Sequence, residues 1–107
     1  VSGEVPADIV HTGDRTVAFR DIRPQAPVHV LVVPRRHVEH AGALTDEHAA
    51  DLSAMFAAAR EVAAAEGIAD PGRGYRLVLN VGKDAQNSVP HLHLHVLGGR
   101  PMTWPPG

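Results

Sequence analysis

The chain has 107 residues, 44% hydrophobic and 21% charged, with a net charge of −2 and no cysteine. That is enough for one modest core. It gives no strong field to attract nucleic acid or an anionic membrane, so neither is expected as a partner. It excludes a disulfide framework and a thiolate zinc site within these residues, and no apolar run approaches the roughly 20 residues of a membrane span.

In chain order, two short strands are expected around Asp8–His11 and Thr16–Arg20, joined by a tight turn at Thr12-Gly13-Asp14-Arg15. "PQAP" breaks the chain, because proline fixes φ and removes a donor. "VHVLVVP" is a β-branched run closed by Pro34 and reads as a buried strand. "RRHVEHAGAL" is a polar connection with room for one helical turn. One long helix is expected from Thr45 to Glu66. Thr45 serves as N-cap, Asp46 and Glu47 suit the helix dipole, and Gly67 stops it. Leu52, Met55, Phe56, Ala59, Val62 and Ala63 recur at three and four and form its apolar stripe.

"YRLVLNVG" is read as the fourth strand, "KDAQNSVP" as a polar loop and "HLHLHVLGG" as the fifth strand, before a proline-rich tail. Four or five strands and one amphipathic helix give an α+β domain, with the helix covering one face of a largely antiparallel sheet. The whole of 1–107 is expected to be a single domain. It begins at Val1 rather than Met, so a truncated N-terminus is also expected. The lack of cysteine fits a reducing compartment, and a cytoplasmic location is expected.

The chemistry concentrates in "SVPHLHLHVLGG". Strand alternation puts His91, His93 and His95 on one face, about 6–7 Å apart, and Leu92, Leu94 and Val96 on the face against the helix. β-propensity alone would favour Thr, Val or Tyr at the histidine positions. His29 stands inside the third strand and Asn80 ends the fourth, so three strands bring polar side chains to one face. His29 taken alone fits a structural role as readily as a chemical one. His11, His37, His40 and His48 fall in turns, the polar connection or the helix start, and read as ordinary structural or surface histidines.

Two chemistries suit the triplet. A His-x-His pair on a strand chelates zinc, and an imidazole can attack an electrophile while its neighbours hold charge. The loop before the triplet favours attack. It offers Lys83, Asn87, Ser88 and backbone N–H groups suited to phosphate oxygens, and its nearest carboxylate is Asp84.

"HLHLHV" fits His-φ-His-φ-His-φ, the signature of the histidine triad family. With "DIRPQAPVHVLVVPRRHV", "GYRLVLNVG", "LGGR" and the closing "WPPG", the chain resembles the nucleotide-binding branch, the purine nucleoside phosphoramidases, over essentially its whole length. The resemblance implies a five-stranded antiparallel sheet with one long helix, two subunits joining into a ten-stranded sheet. It also implies hydrolysis of the P–N bond of adenosine or guanosine phosphoramidates through a nucleotidyl-histidine, with no cofactor and no metal.

On that resemblance His93 is the nucleophile, its Nδ1–H donating to the carbonyl of His91. His95, Ser88 and Asn80 bind phosphoryl oxygens, while His29 and His91 complete the cluster. Asp21 takes the ribose hydroxyls, and Phe19 and Ile22 help form the purine slot. Trp104, in a 100–107 tail crossing the dimer, reaches the partner's site near the leaving group. The branch usually has Gln before the serine, where Asn87 is one methylene shorter, and often an aromatic where Pro90 stands. Two other activities fit the same residues: a dinucleoside polyphosphate hydrolase of the fragile histidine triad type, and a nucleotide-binding or scaffolding protein with little turnover. The "WPPG" end and Ser88 argue against the first of these.

Overall fold

The first apolar alternation forms β1 (Ile9–Thr12), turns back at Gly13, and continues as β2 (Thr16–Arg20). The turn closes through Gly13 N–H donating to the Thr16 carbonyl at 2.9 Å. These coordinates are a computed structural model, which describes residues 8–107; the expected N-terminal truncation lies outside the described residues. β3 (Val28–Pro34) pairs with β2, and the β-branched run is buried almost throughout, as its composition predicts. β4 (Tyr75–Val78) and β5 (Leu94–Gly98) complete a five-stranded, wholly antiparallel sheet in the order β1-β2-β3-β5-β4.

The expected long helix is present, with a tighter start. Thr45 caps a 3₁₀ turn at Asp46–His48, and the α-helix α1 runs over Ala49–Ala65. Thr45 Oγ1 accepts from the Glu47 N–H, and His48 Nδ1 reaches back to accept the Thr45 N–H at 2.9 Å. His48 thus fills the place that Glu or Gln takes in a capping box. At the other end Gly67 (φ +79°) lets Ile68 N–H reach the Ala63 carbonyl and Gly67 N–H the Ala64 carbonyl. This Schellman closure needs a left-handed residue at that point.

Met55, Ala58, Ala59, Val62 and Ala63 of α1 pack on Ala18, Val30, Val32, Leu94 and Val96 of the sheet. The buried stripe differs from the expected one: Phe56 is only half-buried and Ala58 is buried in addition, and the first turn differs most. Asp51 is buried and Leu52 half-buried, because Arg15 Nη1 (3.1 Å) and Arg36 Nη1 (3.8 Å) neutralise the Asp51 carboxylate there. Among the described residues, no helix is long and apolar enough to cross a membrane.

Three strand boundaries shift. β1 starts at Ile9 rather than Asp8. β4 ends at Val78, because its last paired partner is His95, so Asn80 lies beyond the strand it was expected to end. β5 begins at Leu94, and His91 and His93 precede it. Alternation nevertheless persists through the whole triplet, with His91, His93 and His95 half-buried and Leu92, Leu94 and Val96 buried. The two-residue period of extended backbone therefore outlasts the hydrogen-bonded ladder.

Candidate active site

The register of β3 against β5 puts Leu31 opposite His95 and His29 opposite Leu97. Directly opposed residues share a face, so His29 and His95 meet diagonally on the side away from α1. His29 is only 5% exposed, and a buried imidazole must place both nitrogens. Its Nδ1 accepts the backbone N–H of Gln25 at 3.0 Å. The neutral ring therefore carries its proton on Nε2, which lies 2.9 Å from His95 Nδ1 and donates to it. That bond in turn puts the His95 proton on Nε2, a buried atom with no partner among the described residues. A fixed sequence of donors runs from Gln25 through His29 and His95 and ends in an available N–H.

His93 stands edge-on to His95, with ring centroids 5.0 Å apart. Its Nδ1–H donates to the His91 carbonyl at 2.8 Å, which leaves a lone pair on Nε2. An available lone pair and an available N–H thus lie on adjacent imidazoles. One can attack an electrophilic centre while the other binds an oxygen on it.

The His91 ring is occupied elsewhere. Its Nε2–H donates to the Pro34 carbonyl at 3.1 Å, and its Nδ1 accepts from His37 Nδ1–H at 3.0 Å. His37 was read from the sequence as an ordinary surface histidine, and the structure joins it to the triplet. The usable signal was positional. Once β3 lies beside β5, the residues just past Pro34 meet those just before Leu94.

Burial holds His29, His91 and His95 toward the neutral form. Desolvation lowers the pKa of His29, against a smaller opposing pull from Asp21. His95 is lowered to about 4 by desolvation first and then by neighbouring His93 and His29. His91 is lowered by desolvation and, less strongly, by His37 and His93, while its bond to Pro34 acts the other way. Neutral rings are what the tautomer sequence requires.

Asp21 follows β2 at the rim of this cluster. Its Oδ1 accepts the Arg23 N–H at 2.8 Å, and its Oδ2 lies 3.5 Å from His29 Nε2. Phe19 on β2 faces Leu31, on the histidine side of the sheet. Ile22 is 82% exposed beside Asp21. Asn80 is half-buried. Asn87 is half-buried with its Oδ1 unpartnered, and Ser88 is exposed in the same loop. Trp104 is 82% exposed. Among the described residues, no side chain of Asn80, Asn87, Ser88 or Trp104 hydrogen-bonds to the four imidazoles of His29, His91, His93 and His95.

Asp21, His29 and His95 bring three possible metal-ligand atoms within 4.8 Å of one another. The donor set does not fit a cation well. The Gln25 N–H occupies the His29 Nδ1 lone pair, so the Nε2 that faces the cluster carries a proton. Metal ligation there would set a second N–H against that of Gln25.

The chain has clear relatives. A family model described as the HIT domain matches residues 2–102. An uncharacterized HIT-like protein of Synechocystis sp. is 49% identical over 104 residues, 97% of this chain and 89% of that protein. One of Synechococcus elongatus is 46% identical over the same shares. Among solved structures, a HIT family hydrolase from Legionella pneumophila Philadelphia 1 is 46% identical and superposes with a TM-score of 0.92, covering 98% of this chain and 92% of that one. A histidine triad protein from Clostridium difficile is 35% identical with a TM-score of 0.86, over 94% and 86% of the two chains. Matched along nearly all of its length, with His29 and His95 on the face of a five-stranded antiparallel sheet away from its helix, this chain belongs to the HIT domain family.

Proposed function

We propose that the protein is a purine nucleoside phosphoramidase that releases AMP or GMP from amine-linked nucleotides, lysyl-AMP-type adducts included. One observation carries the reading: the His93 ring, with a lone pair on Nε2, stands next to the His95 ring, with an unpartnered N–H, at a centroid distance of 5.0 Å. A similar solved structure is described as a hydrolase, which agrees with it.

In the first step His93 Nε2 attacks the α-phosphorus, the N–P bond to the histidine forms, and the P–N bond to the amine breaks. The His91 carbonyl, accepting from Nδ1–H, stabilises the positive imidazolium as it develops. His95 Nε2–H donates to a phosphoryl oxygen as its charge grows. Water then attacks the same phosphorus and the histidine leaves. The amine takes up one proton and the water releases one, so the two steps consume one water and restore His93.

Asp21, beside the cluster with Oδ2 not held by a backbone donor, is assigned the ribose hydroxyls. Phe19 and exposed Ile22 are assigned the purine. Asn80, Asn87 and Ser88 are assigned to the phosphate side, reached through their loop when substrate binds. Pairing of two copies along β4, an edge of the sheet, would give the ten-stranded homodimer. Arg76 on β4 holds the tail through the Thr103 carbonyl at 3.0 Å, which keeps exposed Trp104 near that edge.

The test offers an adenosine phosphoramidate and a dinucleoside polyphosphate side by side, with and without chelator, to wild type and to His93→Ala. The expected result is P–N cleavage insensitive to chelator and reduced roughly a thousandfold or more in the variant. Faster cleavage of the polyphosphate would move the assignment to a dinucleoside polyphosphate hydrolase. Loss with chelator would require a metal. Binding of AMP without turnover of either compound would make this a nucleotide-binding module.

A further inference from the structure

The nucleophile of the proposed reaction lies outside the sheet. β5 begins at Leu94, and Pro90 has no N–H to give, so no ladder holds the backbone of residues 91–93. Backbone polar groups there still need partners: His91 N–H donates to the Val89 carbonyl at 2.9 Å, and the segment after β3 supplies the acceptor for Leu92. Leu92 N–H donates to the Val38 carbonyl at 2.6 Å. The His91 ring donates from Nε2 to the Pro34 carbonyl at 3.1 Å and accepts at Nδ1 from His37 at 3.0 Å. Residues 34–38 thus grip residues 91 and 92 by three hydrogen bonds, two of them made by the His91 ring.

That side chain stands in a particular relation to the chemistry. The His91 carbonyl is the acceptor for His93 Nδ1–H, so wherever the His91 peptide moves, the lone pair of the nucleophile turns with it. The His91 ring is the anchor of that peptide, and with His37 as the donor it makes both bonds in its neutral Nε2–H tautomer. With His37 in its Nδ1–H tautomer, a proton added at His91 Nδ1 sets two N–H groups against each other, and the contact lasts only if the His37 proton moves to Nε2. We propose that His37, resting on the function assigned above, is a positioning residue for His93. By donating to His91 Nδ1 it keeps that ring neutral and anchored, and so fixes the carbonyl that orients the nucleophile.

The groups facing the His91 ring are His37 from the connection, the Pro34 carbonyl from the end of β3, and the His93 ring from its own segment. Of these only His37 is a donor aimed at Nδ1. Without it His91 protonates at higher pH. A cation there opposes the imidazolium that His93 becomes on attack, so the acid limb of the rate profile moves up in pH.

The experiment compares His37→Leu with His37→Asn, because the Asn amide can place an N–H where His37 Nδ1–H stands. Single-turnover nucleotidylation by an adenosine phosphoramidate is followed across pH. The His91 ring nitrogens are followed by ¹⁵N NMR in the ligand-free protein. For the Leu variant the expected result is a rate about tenfold lower, the size of one lost positioning hydrogen bond, with the acid limb shifted to higher pH. The Asn variant should recover most of both. AMP affinity and the thermal midpoint should stay near wild type, since His37 is exposed.

A Leu variant with wild-type rate and acid limb would overturn the proposal, as would an Asn variant no better than Leu. The NMR arm needs no turnover. If wild type cleaved no phosphoramidate, the functional reading would fail, and the His91 titration in the two variants would still decide whether His37 holds that ring neutral. An unchanged titration in the Leu variant would sink the positioning role by itself.

Discussion

The His29–His95 and His37–His91 pairs use the same bond, one imidazole N–H donated to another imidazole nitrogen, at 2.9 and 3.0 Å. They are held in different ways. His29 and His95 project from neighbouring strands of a ladder, and the register of β3 on β5 sets their meeting. His37 and His91 lie beyond the ends of both strands, and a short irregular segment sets theirs. The inner pair ends in an N–H with no partner among the described residues, whereas the outer pair ends in a carbonyl that turns His93. The difference separates two jobs: one pair presents a donor to substrate, and the other presents the nucleophile.

Removing the presented donor should have the larger effect. His95→Ala deletes the N–H assigned to the phosphoryl oxygen, and turnover should fall on the order of a hundredfold to a thousandfold, the range for losing one donor to a developing charge. Nucleotidylation at His93 should still be detectable by mass spectrometry after a rapid alkaline quench, which preserves the acid-labile bond between phosphorus and histidine. A variant within a factor of about three of wild type would mean that His95 only fills space.

His29→Leu leaves that donor in place and removes what fixes its tautomer. Neutral His95 would then divide between its two tautomers, with the proton on Nδ1 in part of the population. The expected loss is about tenfold, and ¹⁵N NMR should show His95 Nε2 partly deprotonated. A single unchanged His95 tautomer in this variant would break the contrast drawn above, because the ring would not need its inner partner.

Much of this was legible before the fold was known, for a specific reason. Alternation is a property of extended backbone, so the spacing of His91, His93 and His95 assigned them one face even though two of them precede the ladder. The β-branched run around His29 likewise marked a buried strand, and a buried polar residue there was noticeable. Roles that depend on distance in three dimensions were not legible. His37 has no pattern of its own, and its meaning comes from where Pro34 stops β3 relative to Leu94. The Gln25 N–H that sets the whole tautomer sequence is a backbone group, which no residue type reveals. His48 has the structural role expected of it at the helix start, where its imidazole fills a cap place normally taken by Glu or Gln.

The smallest expected effect is on stability, and it follows from burial. The folded-state pKa of His29, His91 and His95 is lowered from 6.5, with His95 at about 4. In the unfolded chain these rings titrate near their ordinary value, so between the two pKa values the unfolded state binds more protons. Their contribution is complete above pH 6.5 and is lost as pH falls toward about 4, where His95 finally charges in the folded state. Thermal midpoints measured down this range should fall for wild type. His95→Asn should fall less, by a difference on the order of 5 °C at the acid end, because the most depressed of the three groups is gone. Parallel curves for the two proteins would mean that the His95 ring is accessible to water in the folded state. It could then no longer be held in one neutral tautomer by His29.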